Sequence, residues 1–275
     1  MPNNPVASKM SESEYRSLVG LNASRFKAFF RSPFHFQNQQ EVETSEAMRV
    51  GTAIHTAILE PEEYFATIAY LPDIDGRTKE GKILKAEFEE NNVGKIILKA
   101  DSREIVERCS KSVVACMKAN ADKFSSGIRK EVVVIGSLCN IDCKAKLDIV
   151  DVERGVITDI KSCQDANRFR YDVQDRLYWV QAGFYCLMAE MMWSKPFSFQ
   201  FLAVENTNPS GSVLYTVSDE ELQIWKNCVI RELSRYKTNT ISGIWEGYTS
   251  CQTLPALKPS IYSWASHRLL VSGFL

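Results

Sequence analysis

The chain has 275 residues, 45% of them apolar and 24% charged, which is ordinary for a globular protein and enough for one large domain or two small ones. Lys and Arg number 33 against 34 Asp and Glu, a formal net charge of -1, so no global basic field draws in nucleic acid and any polyanion site has to be a local patch. The eight cysteines include no CxxC pair, the N-terminal MPNNPVASKMSESEY has no apolar signal core, and WVQAGFYCLMAEMMW, broken by Gln and Glu, falls short of the ~20 residues that span a bilayer, so a soluble cytoplasmic protein with reduced thiols is expected.

Asn22 to Arg31 reads as a short helix capped by Asn22 and stopped before Ser32-Pro33. Thr44 to Leu59 carries apolar residues at 47, 50, 54 and 58, a helical stripe that ends before Pro61. Residues 73–96 are polar and rich in charge, with Arg77, Lys79, Lys82, Lys85 and Lys95, and are expected to form a loop and a helix over the surface. Asp101 to Lys123 is a further helix. The character then changes to three successive strands, EVVVIGSL, CKAKLDIV and GVITDIKS, followed by one long helix from about Asp172 to Met192. FSFQFLAVE and SVLYTVS are strands around the turn NTNPSG, and Ser218-Asp219-Glu220-Glu221 is a capping-box pattern that opens a helix running to about Lys237. SGIWEGYTSCQTLP at the C-terminus reads as loop. This succession describes an α/β core sheet, taken as a single domain over 1–275 with its core in 45–240 and residues 1–20 flexible.

The strand GVITDIKS poses a question of charge. With period-two alternation Val156, Thr158 and Ile160 face one side, while Ile157, Asp159 and Lys161 face the other. If CKAKLDIV and GVITDIKS form a hairpin with Val152 opposite Gly155, Asp148 falls opposite Asp159 on that same face, whereas a slip of one residue separates the two. Two carboxylates at cross-strand distance repel unless something positive sits between them, and a hard divalent cation such as Mg²⁺ is the natural solution. Lys161 beside it can orient a water and stabilise charge developing on phosphorus. From the hairpin alone, solvated charges on an exposed sheet face serve equally well. Asp-x-Lys is a cheap pattern: Glu80-Gly81-Lys82 and Asp142-Cys143-Lys144 match it too, the latter preceded by Glu131.

Other residues add weight by their order. His55 lies beside the apolar stripe of its helix, with Gly51 one turn earlier; a lone helical His is more often an ordinary surface or core residue. Glu131 opens the first strand and could supply another carboxylate. Gln181 and Tyr185, an i, i+4 pair, share a face of the helix after the lysine strand. An early His, Glu, Asp, Asp-x-Lys and then Gln-x-x-x-Tyr resembles the PD-(D/E)xK nuclease superfamily, in the branch with an extra His and a QxxxY motif that contains the RecB and RecE nuclease domains. LNASRFKAFFRSPFHF, MRVGTAIHTAILEPEEY, CKAKLDIV, ITDIKS and YWVQAGFYCLMAE are RecE-like, over about residues 20–250. Asp159 stands where many members have Glu, a variation the motif allows.

That resemblance implies an α/β nuclease core, with a mixed central sheet flanked by helices and an N-terminal helical elaboration. It implies a Mg²⁺- or Mn²⁺-dependent exodeoxyribonuclease of the exonuclease VIII type, from a phage or prophage, acting 5′→3′ on linear double-stranded DNA ends and leaving a 3′ single strand for recombination. A RecT-like annealing partner and a ring-like homo-oligomer, trimer or tetramer, come with it. His55, Asp148, Asp159 and the Ile160 carbonyl would bind metal, Glu131 would reach a second ion, and Lys161 would assist the attacking water. Gln181 and Tyr185 would orient the DNA or the site's side chains. The Asp142-x-Lys144 rival is set aside because Lys161 leads into the Gln/Tyr helix. A non-catalytic DNA-end or protein-binding module on a decayed nuclease fold is the alternative, against which the full ligand set argues; the lack of clustered cysteines argues against an Fe–S relative. DNA held by a chain of charge -1 needs local cations. The candidates are Arg25, Lys27 and Arg31 on the first helix, Arg49, the run Arg77, Lys79 and Lys82, and Lys144 and Lys146 on the strand leading into Asp148.

Overall fold

A computed structural model describes residues 6–40, 44–75 and 77–248. In chain order, strand β1 (Val6–Lys9) and helices α1 (Glu12–Ser17), α2 (Ala23–Arg31), α3 (Pro33–Gln37), α4 (Glu46–Leu59) and α5 (Tyr64–Thr67) come first. Then follow β2 (Ile68–Tyr70), α6 (Lys79–Asn91), β3 (Ile96–Leu98) and α7 (Ser102–Ala119). The rest comprises β4 (Arg129–Leu138), β5 (Ile141–Asp151), β6 (Val156–Cys163), α8 (Phe169–Asp175), α9 (Tyr178–Trp193), β7 (Ser198–Glu205), β8 (Ser212–Thr216) and α10 (Asp219–Ser242).

Six strands form one mixed sheet in the order β1-β4-β5-β6-β7-β8, and β2 pairs with β3 apart from it. Neighbours in the large sheet run antiparallel except β6 and β7, which are parallel. A parallel pair needs a long crossover, and α8 with α9 supply it. One face of the sheet packs on α2, α9 and α10 through Phe26, Phe29, Phe184, Leu147, Ile157, Phe201 and Leu233. The other packs on α4 and α7 through Val50, Ile54, Ile58, Val106 and Val113 against Ile149, Ile160, Leu202 and Val204. The alternation expected of GVITDIKS is therefore present, with Ile157 in the first core and Ile160 in the second.

Local signals account for many boundaries. Asn22 caps α2, its side chain accepting from Arg25 N at 2.8 Å, and Ser32 ends α2 and caps α3 ahead of Pro33. The β5–β6 hairpin has the expected register, with Ile149 opposite Thr158, Val150 opposite Ile157 and Asp151 opposite Val156. Its turn needs Gly155, whose φ is +68° and where an added Cβ would lie 2.6 Å from the Pro196 carbonyl oxygen. α9 has no polar stripe because it is covered by the sheet on one side and by α10 and α2 on the other. Gly183 lets α9 approach α10, since a Cβ there would stand 3.1 Å from the carbonyl of Trp225. Gly183→Val is expected to cost about 1–3 kcal/mol by overpacking. A thermal melt reads this as a lowered midpoint, and an unchanged or higher midpoint would show that the two helices have room to spare.

Three expectations need correction. Residues 1–20 are expected to be flexible, yet among the described ones β1 pairs with β4 and α1 carries a capping box from Ser11 to Glu14. The long helix at 172–192 is two helices, α8 and α9, broken where Leu177 adopts a left-handed φ of 53°. The last helix runs on to Ser242 and stops at Gly243, a left-handed C-cap. Among the described residues the cysteines are all free thiols, and Cys251 lies outside them, as does the second half of the C-terminal segment expected as loop. No described helix is long and apolar enough to cross a membrane.

Candidate active site

The β5–β6 ladder stops short of Asp148, and there Asp148 Oδ2 accepts a hydrogen bond from Ile160 N at 2.8 Å. The carboxylate thus stands in for a backbone acceptor as the strands part. Asp159, wholly buried, accepts at Oδ1 from Gln181 Nε2 of α9 at 2.9 Å. Its other oxygen, Oδ2, has no hydrogen-bond partner and only an ion contact with Lys161 Nζ at 2.5 Å. Lys161 also lies over the Tyr178 ring, 5.1 Å from its centre. Both carboxylates and the lysine therefore share the α9 side of the sheet, as the register requires, and both carboxylates are buried.

Backbone distortion marks the same place. Glu131 has φ +52°, a conformation that costs energy for any residue with a Cβ. It lies between the pairs Lys130–Ile149 and Val132–Leu147, directly across from Asp148. Leu147 packs in the first core and Ile149 in the second, so the two strands turn over at Glu131 and Asp148. The Glu131 carboxylate pairs with Lys146. Burial and the Asp148 charge push its pKa up against that pairing.

Electrostatics follow from crowding like charges in a dry place. Burial and then the charge of Asp159 raise the Asp148 pKa to about 7, partly opposed by Lys161. Burial tends to lower the pKa of Lys161, but Asp159 and Asp148 outweigh it and hold the ammonium protonated. His55 reaches over from α4 with Nδ1 3.5 Å from Asp148 Oδ2. Burial, and next Lys161, lower its pKa, which leaves a neutral imidazole with a lone pair to offer near neutral pH. If that lone pair serves the site, His55→Ala should slow turnover about tenfold or more while the thermal midpoint stays within a few degrees. A large drop in midpoint with activity retained would make His55 a core residue.

Of the expected residues, Asp148, Asp159, Lys161, Gln181, His55 and the Ile160 backbone come together, and Tyr185 joins them through a hydrogen bond with Gln181. Glu131 sits at the edge of this group, held by Lys146. Tyr178 was missed, although it lies one turn before Gln181 on the same helix face. Lys27, expected among the phosphate contacts, has its Nζ donating to Gln181 Oε1 at 2.9 Å, beside the carboxylates. Burial and then Lys161 lower its pKa to about 7.

The other cations are placed elsewhere. Arg25 lies over the Phe36 ring at 5.0 Å, Arg31 is exposed, and Arg49 pairs with Glu46 at 2.7 Å with its Nε buried and unpartnered. Arg77 pairs with Asp75 at 3.0 Å, and Lys79 and Lys82 are exposed on the first turn of α6. None of these shares a hydrogen bond or ion pair with Asp148, Asp159 or Lys161 among the described residues. Lys144 needs correction as a phosphate contact: it is buried, and Nζ donates to the carbonyls of Tyr15 at 2.8 Å, Arg16 at 3.3 Å and Leu18 at 2.7 Å, closing the C-terminal end of α1. Lys146 is engaged by Glu131 and by Glu12, the latter at 3.3 Å, so its charge is already neutralised. Lys144 being structural also removes the rival Asp142-x-Lys144 motif, whose Asp142 is exposed.

The chain matches the model of the PDDEXK-like domain of unknown function, DUF3799, over residues 22–252. It belongs to that family. The match carries the PD-(D/E)xK nuclease fold expected from CKAKLDIV and ITDIKS, and places all of β4, β5, β6 and α9 within the DUF3799 domain. A crystal structure of a candidate exonuclease from Eubacterium rectale is similar at a TM-score of 0.60 and 16% identity, covering 94% of this chain and 99% of that one. At that identity the likeness speaks for the fold. No curated protein matches the chain.

A divalent cation fits these DUF3799 residues in donor chemistry. Among the described residues no three His, Cys, Asp or Glu side chains already converge as a cage. What is present is a pair of buried carboxylates, one with an oxygen that lacks a hydrogen bond, next to a backbone carbonyl and a neutral imidazole. Mg²⁺ asks for one or two protein carboxylates, its other positions going to water and phosphate oxygens.

Proposed function

We propose that this protein is a Mg²⁺- or Mn²⁺-dependent exodeoxyribonuclease that degrades linear double-stranded DNA from its ends. The observation that carries this reading is the buried Asp159 Oδ2, without a hydrogen bond and flanked by Asp148 and Lys161. Asp148, Asp159 and the Ile160 carbonyl would hold the cation, with His55 and Glu131 as outer donors. When bound, such a cation lowers the pKa of a coordinated water and neutralises charge on a phosphate. Lys161 Nζ, protonated and fixed by Asp159, orients the attacking water and donates to the oxygens of phosphorus as negative charge builds. Gln181 fixes the rotation of Asp159, and Tyr185 steadies Gln181.

Resemblance to RecE supports the finer reading. It gives 5′→3′ polarity, a 3′ single strand as product, a RecT-like annealing protein as partner, a ring-like homo-oligomer and a cytoplasmic setting during phage or prophage recombination. The fold likeness to the Eubacterium rectale candidate exonuclease is in keeping with end-directed cleavage. The test uses linear duplex DNA labelled at the 5′ or the 3′ end, with Mg²⁺ or with EDTA. Early release of the 5′ label in Mg²⁺, with the 3′ label retained, is expected. Early loss of the 3′ label would reverse the polarity, and no release of either would leave a non-catalytic end-binding module in its place.

A further inference from the structure

One charged group beside the carboxylates has no part in the scheme above. Lys27, half-buried on α2, donates to Gln181 Oε1 at 2.9 Å, and Gln181 Nε2 donates to Asp159 Oδ1 at 2.9 Å. The Asp159 oxygen accepts from the amide nitrogen, which leaves the amide oxygen to accept from an N–H of Lys27. The Gln181 amide is thereby held with its oxygen toward Lys27 and its nitrogen toward Asp159. Lys27 and Lys161 also share the Tyr178 ring, with Nζ at 4.8 Å and 5.1 Å from its centre, so both amines rest on one aromatic platform.

We propose that Lys27 is a positioning residue for the cation site: acting through Gln181, it ties down Asp159 Oδ1 and so presents Oδ2 to the cation and to Lys161. The proposal rests on the nuclease reading for what the site does, but its logic concerns only where one carboxylate points. Asp159 Oδ2 has no hydrogen bond of its own among the described residues, so the polar contacts that set the carboxylate's rotation are the hold on Oδ1 and the contact with Lys161. Without Lys27 the amide can rotate, and Asp159 can turn both oxygens onto Lys161.

Direct Mn²⁺ binding, followed by electron paramagnetic resonance without DNA, tests this. Lys27→Met keeps the length and apolar bulk of the side chain and removes the donor, and Lys27→Arg keeps a donor and the charge. Losing a positive charge near a cation site by itself strengthens cation binding. A weaker site in Lys27→Met therefore reports the lost hold on Asp159 and not the lost charge. Mn²⁺ affinity is expected to fall about tenfold in Lys27→Met and in Gln181→Leu, with the double variant no weaker than Gln181→Leu and Lys27→Arg close to wild type. On linear DNA the same variants should lose kcat with KM unchanged. Unchanged or tighter Mn²⁺ binding in Lys27→Met would overturn the proposal, as would a double variant weakened by the product of the single effects. A change confined to KM would make Lys27 a DNA contact and overturn it as well. Since Mn²⁺ binding is read without DNA, a wild type that cleaves nothing would defeat the nuclease reading and leave this test standing.

Discussion

Asp159→Asn and Lys161→Met are each expected to cut the rate of DNA hydrolysis by about 10²–10³-fold, the loss typical when one preorganised charge-stabilising group is removed. The isosteric variants matter because Asp159 is wholly buried and paired with Lys161. Alanine at either position would strand the partner's charge in a dry site, at a cost of about 3–5 kcal/mol, and mix unfolding with catalysis. With shape preserved, Lys161→Met should still bind DNA in Ca²⁺, because the role proposed for Lys161 is at phosphorus and not in holding the duplex. Lys144→Ala should behave in the opposite way, losing stability as the end of α1 comes loose while folded molecules keep their turnover. Wild-type rates in either site variant would remove Asp159-x-Lys161 as the catalytic motif.

Asp148→Asn is expected to raise the thermal midpoint by roughly 5 °C at pH 8 in the absence of divalent cations, and to abolish hydrolysis. The sign follows from the raised pKa. Between an ordinary 3.8 and about 7, folded Asp148 keeps a proton that the unfolded chain has released, so stability falls as pH rises through that window. Above it, the folded protein holds two carboxylates whose mutual repulsion Lys161 only partly offsets. Asparagine keeps the acceptor for Ile160 N and removes the charge, so its melting curve should lose the decline between about pH 4 and pH 7. Mn²⁺ should raise the midpoint of the wild type at pH 8 and leave that of Asp148→Asn nearly unmoved. A variant that melts below the wild type at pH 8 would mean that Lys161 and the Ile160 amide fully stabilise the Asp148 charge.

The parts of the site that share one short stretch of chain were legible from residues alone. Alternation in GVITDIKS and a turn centred on Glu153-Arg154 were enough to set Asp148 and Asp159 on one face, and the observed register agrees. Asn22 and Ser32-Pro33 marked α2 because caps act through local hydrogen bonds. What depends on distant contacts was hidden. Lys27 meets Gln181 across 154 residues, and nothing in NASRFKAFFR distinguishes it from Arg25 or Arg31. Asp142-x-Lys144 and Asp159-x-Lys161 look alike as strings, and the three carbonyls around Lys144 are what separate a helix-closing lysine from the one paired with a buried carboxylate. The left-handed Leu177 and Glu131 carry no Gly or Asn to announce them, so neither the break before α9 nor the turning-over of β4 and β5 could be anticipated. Both distortions flank the carboxylates, where strain is tolerated because surrounding packing enforces it.

Asp148, Asp159 and Lys161 are proposed to form a cation-dependent phosphodiester-cleaving site. Nucleotide release from linear duplex DNA by the purified wild type and by Lys161→Met, each with Mn²⁺ or Mg²⁺ and each with EDTA, tests this site. Release by the wild type in the presence of the cation, its loss in EDTA and its recovery when the cation is restored, with Lys161→Met slow throughout, is the predicted result. Release that persists in EDTA, or that Lys161→Met matches, would contradict it.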